Sequence, residues 1–153
     1  HHDGDAIDTA KRLAPFLIKY LTELSEGSTF YDGIKFVIEG THIDFEQLIP
    51  FLQSNMYRDK YEIIGLTFND MTEQQLFECI KKYDTEDDWT YWCSDKELKE
   101  NVRYFIERNK YFDEMFKRYG IRTFDTSFDR DEILNRIIKC VKNNKRDYKH
   151  KNK

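Results

Sequence analysis

Three short strand-like runs, the first two rich in apolar residues, alternate along this chain with segments of helical periodicity, and that alternation limits the fold more than any other feature. The runs cover residues 35–39, 61–68 and 121–125. Runs of this length favour strands that are buried on both faces, as in a parallel sheet. Parallel strands that alternate with helices are joined by right-handed crossovers. The sequence therefore predicts an α/β fold: a three-layer parallel sheet with flanking helices.

Five segments between and around these runs have the spacing of amphipathic helices. They are residues 5–25, 45–54, 73–83, 95–119 and the stretch after Asp129. Residues that favour helix N-caps precede four of them, namely Asp44, Thr72, Ser94 and Asp129. Gly120 follows the longest segment, at a position where glycine commonly ends a helix. Pro15 lies inside the first segment and is expected to kink or restart that helix.

Composition favours one soluble, folded domain. Of the 153 residues, 39% are hydrophobic and 35% are charged. No apolar run approaches the ~20 residues that a membrane span requires, so no membrane contact is expected. We expect a single domain over residues 1–141 and a basic tail over residues 142–153. The three widely spaced cysteines predict free thiols in a reducing compartment, and hence a cytoplasmic location.

Charge is divided unevenly between the tail and the rest of the chain. Residues 142–153 carry six lysines and arginines against one aspartate, a net charge of +5. The chain as a whole has a net charge of −4, so the remaining residues carry −9. Nucleic-acid binding depends on cations that contact phosphates. The acidic body therefore argues against nucleic acid as the main partner.

Three local features, in order, resemble the small P-loop kinases, the group that contains nucleoside monophosphate, shikimate and uridine kinases. The first is Val37-Ile38-Glu39-Gly40, which is similar to a strand whose terminal acid works with magnesium in uridine-kinase-like members. The second is an irregular segment before an arginine-bearing helix, residues 94–119, which looks like their helical lid; we place the lid at about residues 84–110. The third is the segment 119–127 followed by Asp129-Arg130 and a final helix.

The resemblance implies an ATP-dependent phosphotransferase that uses Mg²⁺ and acts on a small-molecule acceptor. Phosphoryl transfer depends on positioning and on neutralising charge. Glu39 would direct the metal or the acceptor hydroxyl, and Arg103 and Arg108 would contact the transferring phosphate. Thr126 and Ser127 would lie beside the adenine.

The same resemblance places the acceptor near five further residues: Asp3, Asp5, Asp8, Thr41 and His42. Each candidate residue also has an ordinary structural interpretation. Acids are favoured at the start of a helix, and arginines on a helix pair with neighbouring acids such as Glu100, Glu107 or Asp113. The aromatic residues of the lid segment, Trp89, Tyr91 and Trp92, would close over a ligand or pack the base of the segment.

The sequence departs from the family in one respect, since none of its six glycines belongs to a Gly-x-x-x-x-Gly-Lys-Ser/Thr phosphate loop. That loop holds the nucleotide phosphates. Either it lies upstream of residue 1 in the parent protein, or the chain is a non-catalytic binding or regulatory module. A metal-dependent hydrolase is a further alternative, suggested by the start His1-His2-Asp3. Such a site needs ligands from several helices, and His1-His2 are equally the remnant of a purification tag.

Overall fold

The computed structural model describes residues 2–26 and 36–151, and their side chains within residues 6–26 and 36–142. Its elements are α1 (His2–Glu26), α2 (Phe45–Leu52), β1 (Ile64–Thr67), α3 (Glu73–Tyr83), a 3₁₀ turn (Trp89–Trp92), α4 (Asp95–Tyr119), β2 (Arg122–Asp125) and α5 (Arg130–Lys151). They fall into two compact units, a first unit of His1–Glu62 and a second unit of Ile63–Lys153. α5 reaches Lys151, so its helix extends into the segment expected as a basic tail.

The prediction of a three-layer parallel sheet is wrong. The described residues are mostly helical, and their two strands form one small parallel sheet. β1 and β2 pair from Ile64 with Arg122 to Thr67 with Asp125. A P-loop-kinase-like architecture needs further parallel strands beside these two, so the fold class implied by the resemblance is overturned.

The run over residues 35–39 is the strand that does not form. Residues 36–40 have no regular secondary structure, and residue 35 lies outside the described residues. Val37 is 96% exposed, and Phe36 and Ile38 are exposed as well. Apolar composition alone does not make a strand, because the backbone N–H and C=O groups of a strand also need a neighbour to bond with.

The other two runs form strands that are shorter than predicted. Residues 61–68 contribute only Ile64–Thr67, and residues 121–125 contribute Arg122–Asp125. Tyr61 belongs to the first unit, where its hydroxyl donates to the Leu21 carbonyl oxygen at 2.5 Å, and the strand begins only after it. Burial along β1 alternates, which is typical of a sheet covered on one face and differs from the predicted burial on both.

The helix predictions are confirmed most closely for α3 and α4, which have the predicted bounds. Both begin with a reciprocal capping box, in which the N-cap hydroxyl accepts from a backbone N–H three residues later while that residue's side chain accepts from the N-cap backbone. The pairs are Thr72 with Gln75 and Ser94 with Glu97. Gly120 ends α4 at φ 64°, a left-handed conformation that glycine adopts without the cost of a Cβ.

Pro15 lies inside α1, which nevertheless continues from His2 to Glu26, so the helix does not restart there. A proline has no N–H to donate to the carbonyl four residues earlier, which here belongs to Lys11. The side-chain amide of Gln47 in α2 donates to that carbonyl oxygen at 3.4 Å. The first unit therefore partly compensates the lost helical hydrogen bond through the packing of α2 on α1.

The second unit is built around α4. One end of α4 covers the sheet, since a Cβ added to Gly65 would lie 2.5 Å from Cδ2 of Phe116. The other end packs against α3 through the buried side chains of Leu76, Leu98 and Val102. α3 and α4 are antiparallel, because Glu73 at the start of α3 pairs with Arg103, whereas Lys81 near its end pairs with Asp95.

Candidate functional site

The predicted metal and acceptor residues of the first unit lie on exposed surface. Glu39, Thr41 and His42 are exposed in the irregular segment before α2. Asp8 is exposed on α1, and its carbonyl oxygen accepts from the Arg12 guanidinium at 3.3 Å. Asp3 and Asp5 lie in the first turns of α1, and their side chains fall outside the described residues.

The two predicted phosphate-binding arginines make contacts within the second unit. The Nε atom of Arg103 lies 3.2 Å from a carboxylate oxygen of Glu73, so this arginine pairs with α3. The guanidinium of Arg108 lies 5.1 Å from the ring centroid of Tyr111 and 4.8 Å from that of Phe112. Both distances are typical of cation–π contacts. A phosphate would have to compete with the Glu73 carboxylate for Arg103.

The predicted adenine-side residues lie at the carboxyl edge of the β1–β2 sheet. The backbone N–H of Thr126 donates to the Thr67 carbonyl oxygen at 2.7 Å, and its hydroxyl donates to the same oxygen at 2.9 Å. Ser127 is buried; its N–H donates to the Asp125 carboxylate, and its hydroxyl oxygen accepts from the Asp70 N–H at 3.1 Å. These groups extend the parallel ladder beyond its last residue pair.

A polar network that the sequence analysis missed joins this edge to α4. Asn109 is only 6% exposed; its side-chain oxygen accepts from the Phe68 N–H at 3.0 Å, and its amide donates to the Asn69 side chain at 2.7 Å. The Asn69 N–H in turn donates to the Asp125 carboxylate at 2.9 Å. The available signal was the polar pair Asn69-Asp70, which comes directly after the run of residues 61–68.

Asp113 extends the network by one turn of α4. The Lys117 ammonium and, to a lesser degree, the side-chain amide of Asn69 donate to its carboxylate and lower its pKa below the ordinary value for aspartate. The polar groups of the carboxyl edge thus form hydrogen bonds with one another and hold α4 against the sheet.

A second cluster lies between α3 and α4, in the segment of residues 84–93, which we call the aromatic loop. Its three large aromatic side chains are solvent-exposed: Trp89 by 61%, Tyr91 by 47% and Trp92 by 71%. Four carboxylates precede them within five residues, namely Asp84, Glu86, Asp87 and Asp88. Residues 86–88 are exposed as well. The loop therefore presents aromatic rings and negative charge together.

Hydrogen bonds hold the aromatic loop in a defined conformation. The Asp88 carboxylate accepts from both the N–H and the hydroxyl of Thr85 at 3.0 Å. These two bonds, the backbone one foremost, lower the pKa of Asp88. The indole N–H of Trp92 donates to the Glu86 carbonyl oxygen at 3.2 Å, and the ring of Tyr91 meets that of Trp92 edge-on with centroids 5.2 Å apart.

The base of the loop rests on the core shared by α3 and α4. The ring of Trp89 packs edge-on against that of Phe105, which joins the cluster around Leu98. Cys93 packs against the same cluster. At the end of the loop, hydrogen bonds from the hydroxyl and backbone N–H of Ser94 lower the pKa of Glu97. Trp89 thus packs the base of the segment while most of its surface stays exposed, which agrees with the packing interpretation; closure over a ligand stays a prediction.

The described residues contain neither a cluster of metal ligands nor a membrane-spanning helix. Among the described residues, no group of three or more His, Cys, Asp or Glu side chains is placed so that it could hold a metal ion. Over the same part of the chain, every helix is too short or too polar to cross a membrane. No protein-family model, curated protein or solved structure matches this chain.

Proposed function

We propose that this chain is a protein-binding module, and that its aromatic loop binds a cationic segment of a partner protein. The observation that carries this proposal is the ordered cluster of Trp89, Tyr91 and Trp92, exposed beside exposed carboxylates. Exposed large apolar groups that lie together commonly mark interaction sites. Tryptophan and tyrosine are also the residues that contribute most per side chain to protein interfaces.

The charge around the rings favours a cationic partner. A lysine or arginine placed over a tryptophan or tyrosine face gains a cation–π contact, and nearby carboxylates add electrostatic attraction. The molecule already contains contacts of the first kind: the Lys82 ammonium lies 4.9 Å from the ring centroid of Tyr83, at the start of the loop. A negatively charged partner would meet repulsion from residues 84–88 instead.

The hydrogen bonds of the loop reduce the entropic cost of binding. The rings of Tyr91 and Trp92 are held against each other, and the indole of Trp92 is tied to the backbone at Glu86. Side chains that are already ordered lose less conformational freedom when a partner binds. We therefore expect affinity to depend on Thr85 and Asp88 as well as on the rings, because their mutual bonds shape the loop.

Intrinsic fluorescence tests the proposal directly, because the only two tryptophans of the chain, Trp89 and Trp92, both lie in the loop. The probe is a synthetic peptide with several lysines and arginines, and the control peptide has the same length with glutamate at those positions. We expect saturable changes in fluorescence with the cationic peptide alone, and affinity that falls as salt is added. No saturable change with the cationic peptide would contradict the proposal.

Matched variants separate the loop from the general charge of the chain. Trp92→Ala should weaken binding by about tenfold or more, as expected for an aromatic anchor. Phe128→Ala is its control, because Phe128 is equally exposed in the second unit but lies outside the loop. Asp87→Asn should weaken binding more than Glu107→Gln, which removes an exposed charge from α4. Equal effects within either pair would argue for non-specific attraction.

ATP-dependent phosphotransfer with Mg²⁺ stays a prediction of the sequence analysis. Saturable heat when ATP and Mg²⁺ are titrated into the chain would support it, and the absence of heat would leave only the alternative in which a phosphate loop upstream of residue 1 supplies the nucleotide site. If turnover is found, Arg108→Ala should lower it far more than it lowers nucleotide affinity. Equal losses of both would contradict the role of Arg108 at the transferring phosphate.

A further inference from the structure

We infer that the cationic segment bound by the aromatic loop is residues 142–153 of a second copy of this chain, so that copies associate head to tail. This inference rests on the proposed function of the loop and names its partner. Three features of the molecule support it: the opposite charges of the two segments, the courses of α4 and α5 within one copy, and the helix that contains the basic residues.

The two segments are complementary in charge. Residues 84–88 contain four carboxylates, and residues 142–153 have a net charge of +5. Residues 142, 145, 146 and 149 are all lysine or arginine. They recur at intervals of three and four, the spacing that brings residues to one side of a helix. The backbone of α5 is helical as far as Lys151, so this spacing falls within a helix.

The course of α4 carries the aromatic loop away from the sheet on one side. Asn109 contacts the carboxyl end of β1 at Phe68, and Phe116 lies against Gly65 farther back along the same strand. α4 therefore runs from the carboxyl edge towards the amino edge, and its start projects beyond the carboxyl edge. Asp95 is 14 residues before Asn109, a rise of about 21 Å along the helix.

The course of α5 carries the basic residues towards the other side. α5 begins at Arg130, shortly after β2 ends at Asp125, and it contacts β2. We take α5 to run back along β2, as the helix of a right-handed βαβ unit does, because half-buried Ile133, Ile137 and Val141 place one face of α5 against the unit. Lys142 is 12 residues beyond Arg130, about 18 Å farther along this direction. On this course the loop and the basic end of α5 lie at opposite ends of the second unit, and a second copy brings them together.

A contact between different surfaces of two copies leaves one loop and one basic segment free at the ends of the assembly. Such a heterologous contact can be repeated, so association continues beyond the dimer unless the rotation between copies closes a ring. We therefore expect the average mass to rise progressively with protein concentration. We also expect it to fall when salt screens the charges.

Sedimentation velocity over a range of protein and salt concentrations is the first measurement. The expected result is a sedimentation coefficient that rises with concentration in low salt and returns to the monomer value in high salt. Trp92→Ala in the loop should abolish the rise, and so should the triple variant Lys142→Glu, Lys145→Glu, Arg146→Glu in α5. As a control, Lys11→Glu, Lys19→Glu, Lys110→Glu changes the net charge equally at exposed residues elsewhere and should leave association in place.

Mixing the two defective chains gives the sharpest test. The Trp92→Ala chain keeps its basic segment, and the α5 triple variant keeps its loop. Each should sediment as a monomer alone, whereas an equimolar mixture should form dimers and nothing larger, because only one productive contact can form. A mixture that stays monomeric, although the wild-type chain associates, would overturn the inference.

The outcomes distinguish this inference from the proposed function on which it rests. If the loop binds the cationic peptide while the wild-type chain stays monomeric at every concentration, the partner is another protein and the inference fails alone. If neither peptide binding nor association is found, both fail. If association persists in the Trp92→Ala chain, the copies meet through other surfaces and the inference is overturned.

Discussion

The carboxyl edge of the sheet and the aromatic loop both contain the kinds of residue that suggest function, but they use them in opposite ways. At the edge, buried Asn109 and its partners bond to one another and hold α4 on the sheet. In the loop, Thr85 and Asp88 bond to each other, and the rings of Tyr91 and Trp92 remain exposed. The difference teaches that polar residues at a strand end can all be bonded within the fold, whereas exposed aromatic residues keep their surfaces available for contact.

Replacing Leu98 should have the largest effect, because both regions depend on α4. Leu98 is fully buried in the cluster beneath the loop. Leu98→Ala removes buried methyl groups and leaves a cavity, which typically lowers the free energy of unfolding by about 2–5 kcal/mol. Chemical denaturation followed by circular dichroism measures this loss. Leu66→Ala is the control on β1, where the side chain is half exposed; a larger loss from Leu66→Ala would contradict the assigned core.

Replacing Asn109 should break the carboxyl edge and spare the loop. Asn109→Ala leaves the partly buried Phe68 N–H without its acceptor, which costs about 1–3 kcal/mol of unfolding free energy. Binding of the cationic peptide should be unchanged at temperatures where the variant is folded. Asn101→Ala is a control about two turns earlier on α4, since its amide makes a long contact to the Cys93 sulfur at 3.8 Å. Equal losses from the two variants would show that the network adds no stability.

Helices were predictable from this sequence because their signals are local. The capping residues Thr72 and Ser94, the periodic apolar residues and Gly120 all act within a few residues of the helix ends that they determine. The bounds of α3 and α4 followed directly. Strands depend on a distant partner. The prediction therefore failed for residues 36–39, which form no strand, whereas residues 64–67 pair with β2.

The candidate site was less predictable, because its residues gain their roles only in three dimensions. Arg103 was expected to contact phosphate or a neighbouring acid on its own helix, yet its partner is Glu73 on α3, 30 residues earlier. Asn109 was not predicted at all, since its bonds to Phe68 and Asn69 depend on how α4 packs. The sequence showed that the loop is rich in aromatic residues, but it did not show that their rings are exposed.

Truncating an exposed ring of the loop should scarcely affect stability. Trp92→Ala removes a side chain that is mostly exposed and one bond to the Glu86 carbonyl, so the free energy of unfolding should change by no more than about 0.5–1 kcal/mol. Trp92→Ala should lose peptide binding and keep its stability, whereas Asn109→Ala should lose stability and keep peptide binding. Thermal denaturation of both variants decides it, and a large loss of stability in Trp92→Ala would make the rings part of the core.

The ionisation of individual carboxylates should have the smallest effects on stability, and these effects should differ between the edge and the loop. The pKa values of Asp113 at the edge and Asp88 in the loop are both lowered on folding from 3.8. A lowered pKa means that the charged form stabilises the fold; this stabilisation is present above pH 3.8 and is lost as pH falls through the lower folded value. The difference between the unfolding free energies at pH 5 and pH 3 should therefore be smaller in Asp113→Asn than in wild type. Asp113 is largely shielded by its partners, whereas Asp88 is exposed to screening solvent, so Asp88→Asn should change the pH dependence less. The opposite order would mean that the loop, rather than the edge, contributes the greater part of the stability provided by these carboxylates.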